Sequence, residues 1–66
     1  MTRALPLTRR ELEIARLAAA GDSVETMAVR MSLSLRSIET QLQVICVKLG
    51  ISEPAELGEA LRRLSP

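Results

Sequence analysis

Apolar residues recur every three or four positions in four stretches of this chain, and each stretch is flanked by residues that begin or end helices. The longest stretch starts at Leu35 and stops at Gly50. Its apolar residues follow one another at steps of three and four, which places them on one face of a helix and predicts a buried stripe. The stripe consists of Leu35, Ile38, Leu42, Ile45 and Leu49.

Hydroxyl residues stand where the first three helices are predicted to begin. Thr8 is followed three residues later by Glu11, which is the spacing of a capping box. Ser23 and Ser34 precede the second and third apolar stretches, so each is expected to cap its helix. Gly21 then ends the first helix, because glycine readily adopts the left-handed conformation that follows a last helical turn.

The second and fourth predicted helices are short and amphipathic. The second has an apolar face of Val24, Met27, Ala28 and Met31. A turn at residues 32–34 follows it, with Leu33 expected to enter the core. The fourth helix starts at Ser52 or Glu53, and its apolar face is Leu57, Ala60, Leu61 and Leu64. We therefore predict an all-α, four-helix helix-turn-helix bundle over residues 7–64, with residues 1–6 as a flexible tail or linker.

Composition narrows the classes of function. The chain has 66 residues and no aromatic side chain, so it cannot stack single-stranded bases on aromatic rings. Because there is no histidine and one cysteine, we expect no internal disulfide, no zinc site, no cofactor and no enzymatic activity. Cys46 is expected to be a small hydrophobic residue at the core edge, with redox sensing as the alternative. No apolar run approaches the roughly 20 residues of a membrane span, which favours a cytoplasmic protein.

Four segments of the chain resemble the LuxR/GerE-type helix-turn-helix domain. They read L-T-R-R-E-L-E-I (7–14), S-V-E-T-M-A (23–28), S-L-R-S-I-E-T (34–40) and K-L-G-I (48–51). The resemblance implies a bacterial transcription regulator whose partner is double-stranded DNA. It also implies that the third helix enters the major groove, that the fourth commonly forms a homodimer contact, and that a signal-sensing domain often precedes the domain in a longer chain.

The third helix supplies the candidate DNA contacts. Gln41 could pair with an adenine edge, and Val44 could pack on a thymine methyl group. Arg36 suits a guanine or a phosphate, and the backbone amides that follow Ser34 suit a phosphate. The alternative is that Gln41 and Thr40 are ordinary solvated helix residues. The full predicted set is Ser34, Arg36, Ser37, Thr40, Gln41, Val44 and Lys48.

Two further groups complete the predicted site. Arg9, Arg10 and Arg30 are possible phosphate contacts, although exposed arginines more often only face solvent. With about four cations on phosphates, binding should be weak and its salt dependence shallow. The resemblance implies a dimer contact on the fourth helix, and the predicted contact residues are Leu57, Leu61 and Leu64.

A second function stays open because some residues depart from the family pattern. Glu25 and Glu39 occupy positions where the family tends to have lysine, and Val44 occupies an asparagine position. Val47 adds to an apolar patch where DNA-binding members tend to have polar or basic residues. The net charge of +1 does not by itself select a polyanion partner. The alternative is a divergent helix-turn-helix fold with weakened DNA binding that serves as a protein-interaction or dimerisation module.

Overall fold

The computed structural model describes residues 7–64, with side chains for residues 7–63, and this part of the chain is all-α. The predicted tail at residues 1–6 lies outside the described residues. The order of elements agrees with the predicted four-helix bundle. The helices are α1 (Arg9–Ala19), α2 (Val24–Met31), α3 (Leu35–Leu49) and α4 (Leu57–Leu64), with a 3-10 turn (Pro54–Glu56) before α4.

The three predicted N-caps are confirmed. The Thr8 hydroxyl accepts a hydrogen bond from the Glu11 amide at 3.1 Å, and the Glu11 carboxylate accepts from the Thr8 amide at 2.9 Å. Ser23 caps α2 by accepting from the Thr26 amide, and Ser34 caps α3 in the same way. These bonds satisfy backbone amides that have no partner within the helix, and they fix where each helix begins.

The first three helices end with the same backbone arrangement. The two residues after the last turn donate back to carbonyls inside the helix; at the end of α3, Gly50 donates to Val47 and Ile51 to Cys46. The arrangement needs one left-handed residue, and Gly21 and Gly50 supply it with φ values of 100° and 68°. After α2 the left-handed residue is Ser32, at φ 56°, a conformation that costs a non-glycine residue more. The turn between α2 and α3 is therefore tight and fixed.

The core lies where α1 packs against α3 and α4, while α2 packs against α3. Ile14 of α1 and Ile38 and Ile45 of α3 have no exposed surface, and Met27 of α2 is 2% exposed. Leu33 is half-buried and packs against this cluster, as predicted for the turn. An aliphatic core of this kind holds α2 and α3 at a fixed relative position.

Two predicted details of α3 and α4 differ from the structure. Leu35 was expected in the buried stripe but is 47% exposed, because it is the first residue of α3 and lies ahead of the turns that pack on other helices. The fourth helical segment does begin after Glu53, yet its first turn is a 3-10 turn. The Glu56 carboxylate accepts from the Ser52 and Glu53 amides and fixes this start.

Candidate nucleic-acid interface

The side of α3 that faces away from the core is exposed along the helix. Its outermost positions lie opposite the buried Ile38 and Ile45, because 3.6 residues complete each turn. Thr40 is exposed, whereas Ser37 and Gln41 lie on a flank of the helix and are half-buried. We define the outward face of α3 by Arg36, Thr40, Gln43, Val44 and Val47, all of which are exposed.

A shallow polar depression lies at the beginning of α3 and brings together five residues of the predicted set. Its lining is Ser34, Arg36, Ser37, Thr40 and Gln41. The Ser34 hydroxyl both accepts from the Ser37 amide at 3.1 Å and donates to the Ser37 hydroxyl at 3.0 Å. The side chain of Ser34 is thus committed to capping, and the backbone amides that follow Ser34 and the exposed Arg36 are the groups that can meet an anion.

A second shallow depression, mostly apolar, continues along the outward face of α3. It is lined by Thr40, Gln43, Val44, Val47 and Lys48. Val44 is 39% exposed and Val47 is 75% exposed. Gln43 is absent from the predicted contact set although it points outward. Counting along the helix could have found it, since it lies seven residues after Arg36 and therefore nearly two full turns along the same face.

Lys48 was predicted as a DNA contact, but its ammonium group has a partner inside the domain. Its Nζ lies 2.8 Å and 3.1 Å from the two carboxylate oxygens of Glu11. The Glu11 side chain is only 9% exposed and that of Lys48 is 26% exposed. The pair ties the beginning of α1 to the end of α3, so the Lys48 ammonium group is held within the domain instead of extending into solvent.

The pKa of Glu11 is lowered by the hydrogen bond from Lys48 and by the backbone hydrogen bond from Thr8, and partial desolvation opposes these effects only in part. The carboxylate is therefore ionised at neutral pH. One side chain thus caps α1 and pairs with α3. No sequence pattern indicated the second role, because Glu11 and Lys48 are 37 positions apart.

The predicted phosphate-binding arginines fall into two groups. Arg30 pairs with Asp22, with its Nε 3.1 Å from a carboxylate oxygen, so part of its charge is already neutralised. Arg9 and Arg10 are exposed at the start of α1. They precede Glu11, whose carboxylate contacts Lys48 near the end of α3. Arg36 is exposed in the first turn of α3 and belongs to its outward face.

Comparison with known proteins now settles the family. The protein-family model for the bacterial regulatory proteins of the LuxR family (GerE) matches residues 5–59 of the 66-residue chain. The chain belongs to the LuxR family. No match was found among curated proteins or solved structures. As a LuxR-family domain, the chain is a helix-turn-helix DNA-binding domain of a transcription regulator, a class of binding domain and not of enzyme.

The predicted dimer contact of this LuxR-family domain must be revised at Leu57. This side chain has no exposed surface and belongs to the core, so a second copy could not touch it. Leu61 is half-buried and packs against the same core. The side chain of Leu64 lies outside the described residues. Much of the apolar side of α4 is thus used for packing within the domain.

Cys46 occupies the position predicted for it at the edge of the core. It is 8% exposed, and burial raises the pKa of its thiol. Lys48, two residues later in α3, is paired with Glu11 and is therefore not free to favour the thiolate. These features are those of a packed hydrophobic residue in the LuxR-family domain.

Within residues 7–64, no helix has the length and apolar character needed to cross a membrane.

Proposed function

We propose that the chain binds double-stranded DNA by placing the outward face of α3 in the major groove. The observation that carries the proposal is the exposed polar depression at the beginning of α3, which brings Arg36, Thr40 and Gln41 together beside a capped helix N-terminus. Membership of a DNA-binding family supports this use. A fixed turn after α2 and the Glu11–Lys48 pair hold α3 in position.

Phosphate contacts are assigned to Arg9, Arg10 and Arg36. All three side chains are exposed; Arg36 belongs to the outward face of α3, and Arg9 and Arg10 precede Glu11, which contacts Lys48 near the end of α3. Lys48 and Arg30 are left out because each is held by a carboxylate. Three phosphate contacts would give a slope of log Kobs against log salt of roughly −3, since each contact on B-DNA contributes about −0.9. Glu25 and Glu39, both exposed, further weaken the attraction to phosphates.

The test is titration of a fluorescently labelled mixed-sequence duplex with the chain over a salt series. We expect binding at low salt with a shallow slope. Arg36→Ala should weaken binding by about 1–3 kcal/mol if the guanidinium contacts a base, or reduce the slope by about 1 if it contacts a phosphate. Arg16→Ala, at an exposed position in the last turn of α1 that belongs to no proposed contact, is the matched control and should leave affinity unchanged. Absence of binding at about 50 mM salt, where counterion release favours complexes, would contradict the proposal.

We further propose that two copies of the domain bind DNA together. We also propose that the domain belongs to a bacterial, cytoplasmic regulator, a longer chain that also contains a signal-sensing domain. The family resemblance supports these points. Because Leu57 is buried, the contact between copies would use other parts of α4. Sedimentation of the chain with and without duplex tests this, and a single-copy complex on every duplex would contradict the dimer.

A second candidate function is a protein-interaction module with weakened DNA binding. It is favoured by the mostly apolar depression around Val44 and Val47. The cation that lines this depression, Lys48, is paired with Glu11. In that case Val47→Lys should abolish binding to the protein partner and leave the unfolding midpoint unchanged, because Val47 is 75% exposed. Duplex binding that perturbs the outward face of α3 would count against this alternative.

A further inference from the structure

The exposed chemistry of α3 beyond its first turn matches A·T base pairs. Thr40, Val44 and Val47 present methyl groups, and Gln43 presents an amide. In the major groove thymine displays a methyl group, and an adenine edge pairs with an Asn or Gln amide. Guanine is usually read by arginine or lysine. The arginine and lysine of α3 are Arg36, in the first turn, and Lys48, whose ammonium group is paired with the Glu11 carboxylate.

We propose that Val44 and Val47 recognise thymine methyl groups, so that the chain selects sites with A·T pairs beneath the second half of α3. The proposal rests on the proposed entry of α3 into the major groove. Both valines line one shallow, mostly apolar depression together with Gln43. Thr40 lines this depression and also the polar depression at the start of α3, so the two form one continuous surface.

The spacing of the two valines suits neighbouring base pairs. Three residues of α-helix rise about 4.5 Å, and successive base pairs of B-DNA are about 3.4 Å apart. A helix that follows the groove can therefore offer Val44 to one pair and Val47 to the next. Gln43 directly precedes Val44 in sequence and is exposed, so its amide can reach an adenine edge in the same region.

Glu39 does not alter this assignment. It is exposed in the first half of α3, ahead of Val44 and Val47, and lines a neighbouring depression with Leu42, Gln43 and Cys46. A carboxylate can accept from the amino group of cytosine, but it cannot donate to the acceptors of guanine. The second half of α3 therefore has methyl and amide groups for A·T pairs and no available cation for guanine.

The test separates the thymine methyl group from every other feature of the duplex. Selection from a random duplex pool yields a preferred site, which is then synthesised with thymine or with uracil, which lacks only the methyl group. For the unaltered chain we expect affinity to fall roughly fourfold for each contacted methyl group removed, the effect of losing one buried methylene. Val44→Ala and Val47→Ala should bind the thymine duplex more weakly and should lose most of their sensitivity to uracil.

The matched control is Val29→Ala, because Val29 is 81% exposed but lies on α2. It should behave like the unaltered chain with both duplexes. Equal affinity for the thymine and uracil duplexes would overturn the inference while leaving DNA binding intact. G·C pairs at the selected positions beneath Val44 and Val47 would overturn it as well. If no duplex binds at low salt, both the proposed function and this inference fail.

Discussion

The two faces of α3 carry similar aliphatic side chains in opposite environments. On the inward face, Ile38 and Ile45 have no exposed surface, whereas on the outward face Val47 is 75% exposed. The inward residues hold α1, α2 and α3 together, and the outward valines contribute little to the fold. The stability of the domain and its recognition of a partner therefore depend on different residues of one helix. Substitutions on the inward face should therefore change stability, and substitutions on the outward face should change binding to the partner.

The largest effect on stability is expected on the inward face. Ile45→Ala should lower the free energy of unfolding by about 2–5 kcal/mol, because it leaves a cavity in a closely packed core. Val47→Ala, two residues later, should change the free energy by less than about 0.5 kcal/mol. Urea unfolding followed by circular dichroism measures both. Similar losses for the two variants would contradict the separation of the faces.

The next effect comes from the ion pair between α1 and α3. Lys48→Met should lower the free energy of unfolding, because it leaves the nearly buried Glu11 carboxylate without its cation. The pKa of Glu11 in the folded state lies below its ordinary value of 4.5. The stabilisation is therefore fully present above pH 4.5 and is lost as the pH falls through the lower folded value.

Unfolding of the unaltered chain and of Lys48→Met across pH tests this assignment. The difference in the free energy of unfolding should be largest near pH 7 and should narrow below pH 4.5. Glu11→Gln combined with Lys48→Met serves as the control and should remove this pH dependence. A difference that stays constant with pH would show that Lys48 stabilises the domain in another way, such as by packing its aliphatic stem.

A smaller effect distinguishes capping from DNA contact at the start of α3. Ser34→Ala and Ser23→Ala each remove a hydroxyl that accepts an amide hydrogen bond at 3.1 Å, so each should cost about 1 kcal/mol of stability. Only the Ser34 cap belongs to the polar depression of the proposed interface. Ser34→Asp should keep the cap but weaken duplex binding by repelling phosphate. Equal duplex affinity for Ser34→Asp and the unaltered chain would remove this helix start from the contact set.

The smallest effect is expected at Arg30, outside the outward face of α3. Its pair with Asp22 is partly exposed, and such pairs contribute about 0–1 kcal/mol. Arg30→Ala should therefore have little effect on unfolding, and it should leave the salt slope of duplex binding unchanged. If the slope decreases in magnitude by about 1, Arg30 contacts a phosphate in the complex and its pair with Asp22 opens on binding.

Local sequence signals predicted most of the fold. The caps at Thr8, Ser23 and Ser34 and the glycine after α1 define helix ends through contacts within a few residues, so the sequence contains them directly. The buried stripe of α3 was also readable from its spacing. The exception is Leu35, where periodicity could not indicate that the first residue of the helix stays 47% exposed.

The candidate site was less predictable, because its cations depend on contacts between distant segments. Nothing in the sequence near Lys48 or Glu11 shows that the two pair across the core boundary. Similarly, the pairing of Arg30 with Asp22 and the burial of Leu57 follow from how the helices pack. Gln43, in contrast, could have been found by counting turns of α3. The resemblance supplied the function, and the packing decided which side chains remain available for it.

The most direct test of the DNA-binding assignment is an NMR titration of the chain with a mixed-sequence duplex at low salt. We predict that amide shifts concentrate on Arg36, Thr40, Gln43, Val44 and Val47, and that they fade as salt is added. The amides of Ile38 and Ile45, on the buried side of the same helix, should shift less. The absence of shifts at about 50 mM salt, or shifts confined to α4, would contradict the placement of the outward face of α3 against DNA.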